Sequence, residues 1–421
     1  MTAAPPRNWA GNVTFRAARV HRPSSVAELQ EIVAAARSVR ALGTGHSFNR
    51  IADTDGDLVR VDGLPGRVEI DPAALTATVP AGLRYARLAE HLQAHGFALA
   101  NLASLPQISV AGACATGTHG SGNGRPGLAA AVAGLRMVAP DGRLVELRRG
   151  VPEDRLDGAV VALGALGIVT ELTLDIEPTY DVAQWVYTGL PLDRLAGAFD
   201  ALSGAAYSVS VFTDWASGEA RVWLKCRTDR DGSDHPGDSW QGARLAGEAL
   251  HPIPGIFPAA CTTQGGRPGP WHERLPHFRP DFTPSSGTEL QSELLLPRSA
   301  APQAVEALRR IGHRIAPVLQ ISEVRTVAAD DLWLSPAHAR DCVALHFTWS
   351  DRAEAVMRAV AAVEEELLPL GGRPHWGKLT ALAPGDVAAL HPRAADFRRL
   401  MADHDPEGKL RNDFVRGVFP T

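Results

Sequence analysis

Gly43-Thr44-Gly45-His46-Ser47-Phe48-Asn49 follows a short strand signal, Val39 to Leu42, and the fold turns on how this segment is read. A second segment shares its character: Ser104-Leu-Pro-Gln-Ile-Ser109-Val-Ala-Gly112-Ala-Cys-Ala-Thr116-Gly117-Thr118-His119-Gly120-Ser121-Gly122. Small residues expose consecutive backbone amides, and the interleaved Ser and Thr add hydroxyl donors. Such a surface suits a pyrophosphate, whose charge needs many short donors at close approach. The glycine count supports the emphasis. The chain has 421 residues and 40 glycines, where ordinary usage near 7% gives roughly 29. Six of them fall between Gly112 and Gly127. One glycine-rich turn after a strand is more often only a turn; two in one domain, each rich in hydroxyls, favour phosphate binding.

The flanking elements are short and mixed. Ser25-Val-Ala-Glu28 reads as a capping box, with Leu29, Ile32, Val33 and Ala36 following at helical spacing. Leu58 to Val61 reads as a strand. Val68 to Ile70 with Leu75 to Val79, and Leu135 to Val138 with Leu144 to Leu147, read as hairpins. A helix spans Tyr85 to His95 and ends at Gly96. This mixture indicates an α+β domain ending near residue 178. Residues 215–285 carry much Gly, Pro, Asp and Trp with little periodicity, which predicts long surface loops. Beyond them come three strand candidates, Leu290 to Leu296, Leu319 to Val327 and Cys342 to Trp349, then an amphipathic helix from Ala353 to Leu368.

Bulk properties exclude several classes. The net charge is −5 with no basic run, which argues against nucleic acid as a partner. The longest apolar candidate, Ala159 to Val169, is too short and glycine-interrupted to span a membrane. The N-terminal residues lack a secretory apolar core, and the four scattered cysteines form no C-x-x-C pair. The expectation is a cytoplasmic protein with no metal and no membrane partner. Familiar phosphate and metal motifs fail. Gly122-Asn-Gly124-Arg-Pro-Gly127 has no preceding strand, and Pro126 sits where a helix should open. Gly372-Arg-Pro-His-Trp-Gly377-Lys378 imitates a P-loop, but Leu379 replaces the Ser/Thr that binds magnesium. His272-Glu273-Arg-Leu-Pro-His277 misses the zinc-peptidase spacing by one residue.

Period-two alternation gives a second lead. In Cys342 to Trp349 one face carries Val343, Leu345, Phe347 and Trp349, the other Ala344, His346 and Thr348. Glu323 and Arg325 share a face of their strand, as do Gln291 and Glu293 of theirs. If the three strands are neighbours, acid, base and hydroxyl groups form one patch. A solvated sheet face is the bland alternative; short His and Thr beside a Glu/Arg pair form a good set for holding several adjacent hydroxyls.

Taken together, Gly-x-Gly-His-Ser after a strand and Ser-x-x-Gly-x-x-x-x-Gly-x-His-Gly in the second loop resemble the vanillyl-alcohol-oxidase family of flavoproteins, and within it the alditol oxidases. The resemblance runs from Asn8-Trp-Ala-Gly-Asn12 through His375-Trp-Gly-Lys378 to Phe414-Val-Arg-Gly417. It implies an α+β, two-domain FAD-binding (PCMH-type) fold with a cap domain built on a large antiparallel sheet. The FAD domain would comprise 1–178 and 371–421, with 179–370 as the cap. It further implies FAD as cofactor, held by one covalent bond to His46. Doubly linked relatives add a cysteine that residues 101–110 lack. Gly43, Thr44, Gly45, Ser47, Ser104, Ser109, Gly112, Thr116, Gly117, Thr118, His119, Gly120, Ile168 and His375 would contact the cofactor. Arg325 and Lys378 would be catalytic. Ser104, Glu323, His346 and Thr348 would join them in holding a linear polyol such as xylitol or sorbitol, with O2 as second substrate and the chain acting as a monomer. The alternatives are an aldonolactone oxidase or dehydrogenase of the same fold, and a non-catalytic sugar-binding protein.

Overall fold

The computed structural model describes residues 6–230, 237–282 and 289–420. Its N-terminal part holds two small sheets. Arg19–His21, Asp57–Arg60 and Val39–Leu42 lie side by side in that order, all parallel. A five-stranded antiparallel sheet runs Glu69–Asp71, Thr76–Pro80, Ile168–Asp175, Val132–Val138, Leu144–Arg148. The helix Val26–Ala35 begins where expected, and Ser25 accepts from the amide of Glu28. Its partner bond is displaced by one residue: the Glu28 carboxylate accepts from the amide and hydroxyl of Ser24, which offer it two donors at one place. Leu29, Val33, Val79, Leu88, Leu92, Leu135, Ile168 and Leu172 pack into one core. The chain's end returns to that core through Phe397, Leu400, Met401, Leu410, Val415 and Phe419.

The middle of the chain builds a ten-stranded sheet. Its centre runs Asp181–Pro191, Glu219–Arg227, Ser208–Thr213, Leu319–Val327, Cys342–Trp349, Leu290–Pro297, every pair antiparallel. One face is apolar and is covered by the helices Ala301–Ile315 and Ala353–Leu367. Ala304, Val305, Leu308, Ile311 and Ile315 meet Val343, Leu345, Phe347 and Trp349 there. Each Val, Leu, Ile or Phe among them contributes about 1.5–3 kcal/mol when fully buried, so this seam fixes which face of the strands points away from the helices.

The stretch 215–285 departs from expectation. Residues 231–236 and 283–285 lie outside the described residues, but Glu219–Arg227 is a central, buried strand rather than a surface loop. Both of its faces are covered, Val222 and Leu224 by the helix-side core and Trp223 by Phe212 and Ile321, so the alternation that marks a half-exposed strand is missing. Trp271, Leu275 and His277 of the following segment are also buried.

Candidate active site

Between the two glycine segments and the polar face of the large sheet runs one cavity, enclosing about 2060 Å3 of unfilled space, part of it open to solvent. On one side lie Gly43, Thr44, Gly45, His46, Ser47, Ser109, Gly112, Thr116 and Thr118; on the other Glu293, Glu323, Arg325, His346, Thr348 and Lys378, with Ser104, His119 and His375 between. Glycine is needed where the loops converge. A Cβ on Gly43 would come within 2.3 Å of Ser109 Oγ, and one on Gly112 within 2.7 Å of the same atom. Gly45 adopts φ +72°, a left-handed conformation that other residues rarely tolerate. Thr44 Oγ1 accepts from the amide of Ser109 at 3.2 Å, tying the two loops together.

His46 is largely buried, its Nδ1 has no hydrogen-bond partner, and its ring stacks on Trp9 at 5.2 Å with the planes 19° apart. Burial, helped by the charge of Arg84, lowers its pKa to about 4. The imidazole is therefore neutral near pH 7, with a lone pair available. Three of the expected cofactor contacts do not line the cavity. Ile168 is buried in the core, as the alternation of its strand dictates, and its neighbours Gly167 and Val169 face the cavity instead. Gly117 and Gly120 lie behind the loop: a Cβ on Gly120 would come within 2.1 Å of Asn101 Oδ1. Arg40, unanticipated, does line the cavity. It donates to the carbonyls of Ile51 (2.5 Å), Leu163 (2.6 Å), Gly164 (2.9 Å) and Leu410 (2.9 Å), joining three parts of the chain. An arginine inside the otherwise apolar strand Val39–Leu42 was the available signal.

The polar wall is set by strand register. Glu323 pairs with His346, and His346 with Glu293, so the three form one row across neighbouring strands. Arg325 and Thr348 lie two residues along on the same face. Glu293 is the hub. Its Oε1 accepts from Arg325 Nη2 (3.0 Å) and lies 3.1 Å from His119 Nε2, while its Oε2 accepts from Lys378 Nζ (2.6 Å). Lys378 Nζ also donates to His346 Nδ1 (2.8 Å), and His346 Nε2 donates to Thr348 Oγ1 (3.2 Å). Arg325 Nη1 donates to Ser104 Oγ (3.2 Å). Lys378 reaches this wall because its segment is stitched on both sides. His375 N donates to Glu293 O and Leu379 N to Gln291 O, while Phe48 N donates to Gly377 O. Sequence reading placed Glu293 on the polar face but gave it no role.

The charges sustain one another. Burial alone would raise the pKa of Glu293, but Lys378, His119 and Arg325 outweigh it and hold the carboxyl well below its ordinary value. Glu323 is likewise lowered, Arg325 and His277 overcoming burial. Burial lowers Lys378 from 10.5, against the pull of Glu293. Burial, with the charge of Lys378, lowers His346 to about 3. These shifts predict acid sensitivity. His277 and His346 titrate near 6.5 when unfolded and at about 4 and 3 when folded. Between those values the unfolded chain binds more protons, so their stabilisation is complete above pH 6.5 and is lost as pH falls through 4. Melting temperatures recorded from pH 6.5 downward are expected to fall steadily. A flat profile to pH 4 would mean that these rings are not buried and neutral.

A buried neutral imidazole and two donor-rich loops on one side, and a wall of paired cations and carboxylates on the other, form a site that can hold an anionic cofactor against a polar substrate. A family model described as FAD binding domain matches residues 17–148, and one described as D-arabinono-1,4-lactone oxidase matches residues 289–418. An alditol oxidase of a Streptomyces species is 53% identical over 98% of both chains. An L-gulono-1,4-lactone dehydrogenase of Mycobacterium tuberculosis is 30% identical, again over 98% of both. A crystal structure of cholesterol oxidase from B. sterolicum superposes with a TM-score of 0.80 at 14% identity, covering 99% of this chain and 97% of that one, a likeness of fold. The chain belongs to the alditol oxidase family, within the vanillyl-alcohol-oxidase flavoproteins.

Proposed function

We propose that the chain is an FAD-dependent oxidase that converts the terminal C1 hydroxyl of linear polyols, xylitol or sorbitol, to the aldehyde. The observation that carries this reading is the row Glu323–His346–Glu293, with Arg325, Lys378, Thr348 and Ser104 beside it, facing the glycine loops across one cavity. Residues 1–178 and 371–421 would form the FAD domain and 179–370 the cap.

The residues fit FAD. Gly43, Gly112 and Ser109 clear and line a surface for the pyrophosphate, with Thr44, Ser47 and Thr116 adding hydroxyls. The unpartnered Nδ1 of His46 supplies the single covalent attachment. When bound, FAD would supply the two-electron acceptor chemistry that oxidation of C1 to the aldehyde requires, with O2 as final acceptor and hydrogen peroxide as its product. Arg325 and Lys378 hold the C1 hydroxyl and stabilise the alkoxide charge that develops as its proton leaves. Glu323, His346, Thr348 and Ser104 hold the inner hydroxyls. A substrate lacking those hydroxyls leaves buried polar groups unpaired and is rejected.

A lactone reading has its own support, since residues 289–418 match the D-arabinono-1,4-lactone oxidase model. Incubating the purified protein with sorbitol or with gulonolactone and assaying peroxide separates the two. Peroxide is expected with sorbitol; activity on the lactone alone would overturn the polyol reading. A colourless preparation, inert to both, would point instead to a sugar-binding protein.

A further inference from the structure

Glu323 is held from behind by a buried relay that comes from the loop-rich part of the chain. Lys225 Nζ donates to the carbonyl of Leu275 (2.5 Å), to that of Pro276 (3.3 Å) and to His277 Nδ1 (3.3 Å). His277 Nε2 then donates to Glu323 Oε1 (2.8 Å). Because the ionised carboxylate of Glu323 can only accept, the neutral ring carries its proton on Nε2, and Nδ1 accepts from Lys225, whose amine burial lowers to about 7. The ring plane is fixed as well, with Phe212 packed edge-on at 5.2 Å and 75°. The backbone amide of His277 donates to the carbonyl of Ser104 (3.2 Å). One residue thus touches two of the groups assigned to the polyol.

We infer that His277, oriented by Lys225, is a positioning residue that keeps Glu323 available to the polyol's inner hydroxyls instead of letting it close onto Arg325. The geometry shows why restraint is needed. The oxygen that accepts from His277 lies only 3.5 Å from Arg325 Nε, which is buried and has no hydrogen-bond partner. A small rotation of an unrestrained Glu323 would complete a buried charge-assisted bond there. Such bonds are short and strong, and this one would take both the carboxylate and the guanidinium away from the substrate. His277 offers Glu323 a competing donor on the far side. Arg325, His346 and Lys225 are the other charged or titratable groups acting on Glu323 or on the relay. Cys261 lies near Lys225.

The inference rests on Glu323 being a polyol ligand, and the test separates the two. An asparagine amide reaches the position of Nδ1 but stops short of Glu323; a glutamine amide reaches the position of Nε2. His277→Asn is expected to raise KM for sorbitol about 10- to 100-fold, the factor carried by one hydrogen bond to a charged group. The limiting rate of flavin reduction should change far less. His277→Gln is expected to restore KM to near the unmodified value. Combined with Glu323→Gln, His277→Asn should add little, because both act through one carboxylate. Equal KM for the Asn and Gln variants, or penalties that simply add, would overturn the inference. If Glu323→Gln alone leaves KM unchanged, the polyol role of Glu323 itself fails. Should His277→Asn not fold, Lys225→Met, which removes the donor that orients the ring and ties down the Leu275 and Pro276 carbonyls, is expected to raise KM in the same direction. An unchanged KM in that variant would overturn the inference.

Discussion

His46→Ala, precipitated with acid, is expected to give a colourless pellet and a yellow supernatant, whereas the unmodified protein keeps its colour in the pellet. The effect is expected to be all or none if His46 is the one attachment, as proposed. His46 Nδ1 is buried beside the cavity without a partner, so no competing bond holds its lone pair. Its pKa of about 4 keeps that lone pair free of a proton at neutral pH. The stacked Trp9 fixes the ring's plane. The cysteine of the second glycine segment offers no alternative. Cys114, although inside the second glycine segment, faces Tyr85 in the core rather than the cavity, with its Sγ 3.5 Å from the phenol oxygen. Burial pushes that thiol up to about 11, which leaves it protonated and unreactive. Retention of colour in the His46→Ala pellet would show that the attachment lies elsewhere.

The site was more legible in the sequence than the path that builds it. Alternation in Cys342–Trp349 separates Val343, Leu345, Phe347 and Trp349 from His346 and Thr348, and the structure puts the first set under two helices. That division is written in a strand with one apolar and one polar face. Register is not: nothing local to Glu323, His346 or Glu293 says that they stand in one row, because pairing depends on strands separated by a helix and a long connection. Glu219–Arg227 carries no such signal, since a strand covered on both faces loses its period. His277 sits in the sequence as the end of a failed metal motif, and its partner Lys225 lies 52 residues away. The helix Ala301–Ile315 did carry a signal, Pro302 in its first turn and apolar residues at 301, 304, 305, 308 and 311, which the neighbouring strand candidates overshadowed.

Lys378→Met is expected to lower the limiting rate of flavin reduction by sorbitol about 100- to 1000-fold, the range that follows loss of one preorganised donor to a developing anion. Anaerobic stopped-flow mixing reads this step directly. The variant should still fold, because Glu293 keeps Arg325 at 3.0 Å and His119 at 3.1 Å after the lysine is gone. Arg325→Met is a poorer probe. It would leave Glu293 and Glu323, whose side chains are 1% and 5% exposed, without their shared guanidinium, and breaking a buried pair costs about 3–5 kcal/mol. Lys378→Met also removes the donor to His346 Nδ1, yet His346 keeps Thr348 at 3.2 Å, so the inner-hydroxyl wall stays in place. The reduction rate is therefore expected to fall by a larger factor than the rise in the sorbitol concentration giving half that rate, because Arg325 and the inner-hydroxyl wall still hold the substrate. A near-normal reduction rate would remove Lys378 from the chemistry and leave Arg325 alone to meet the alkoxide.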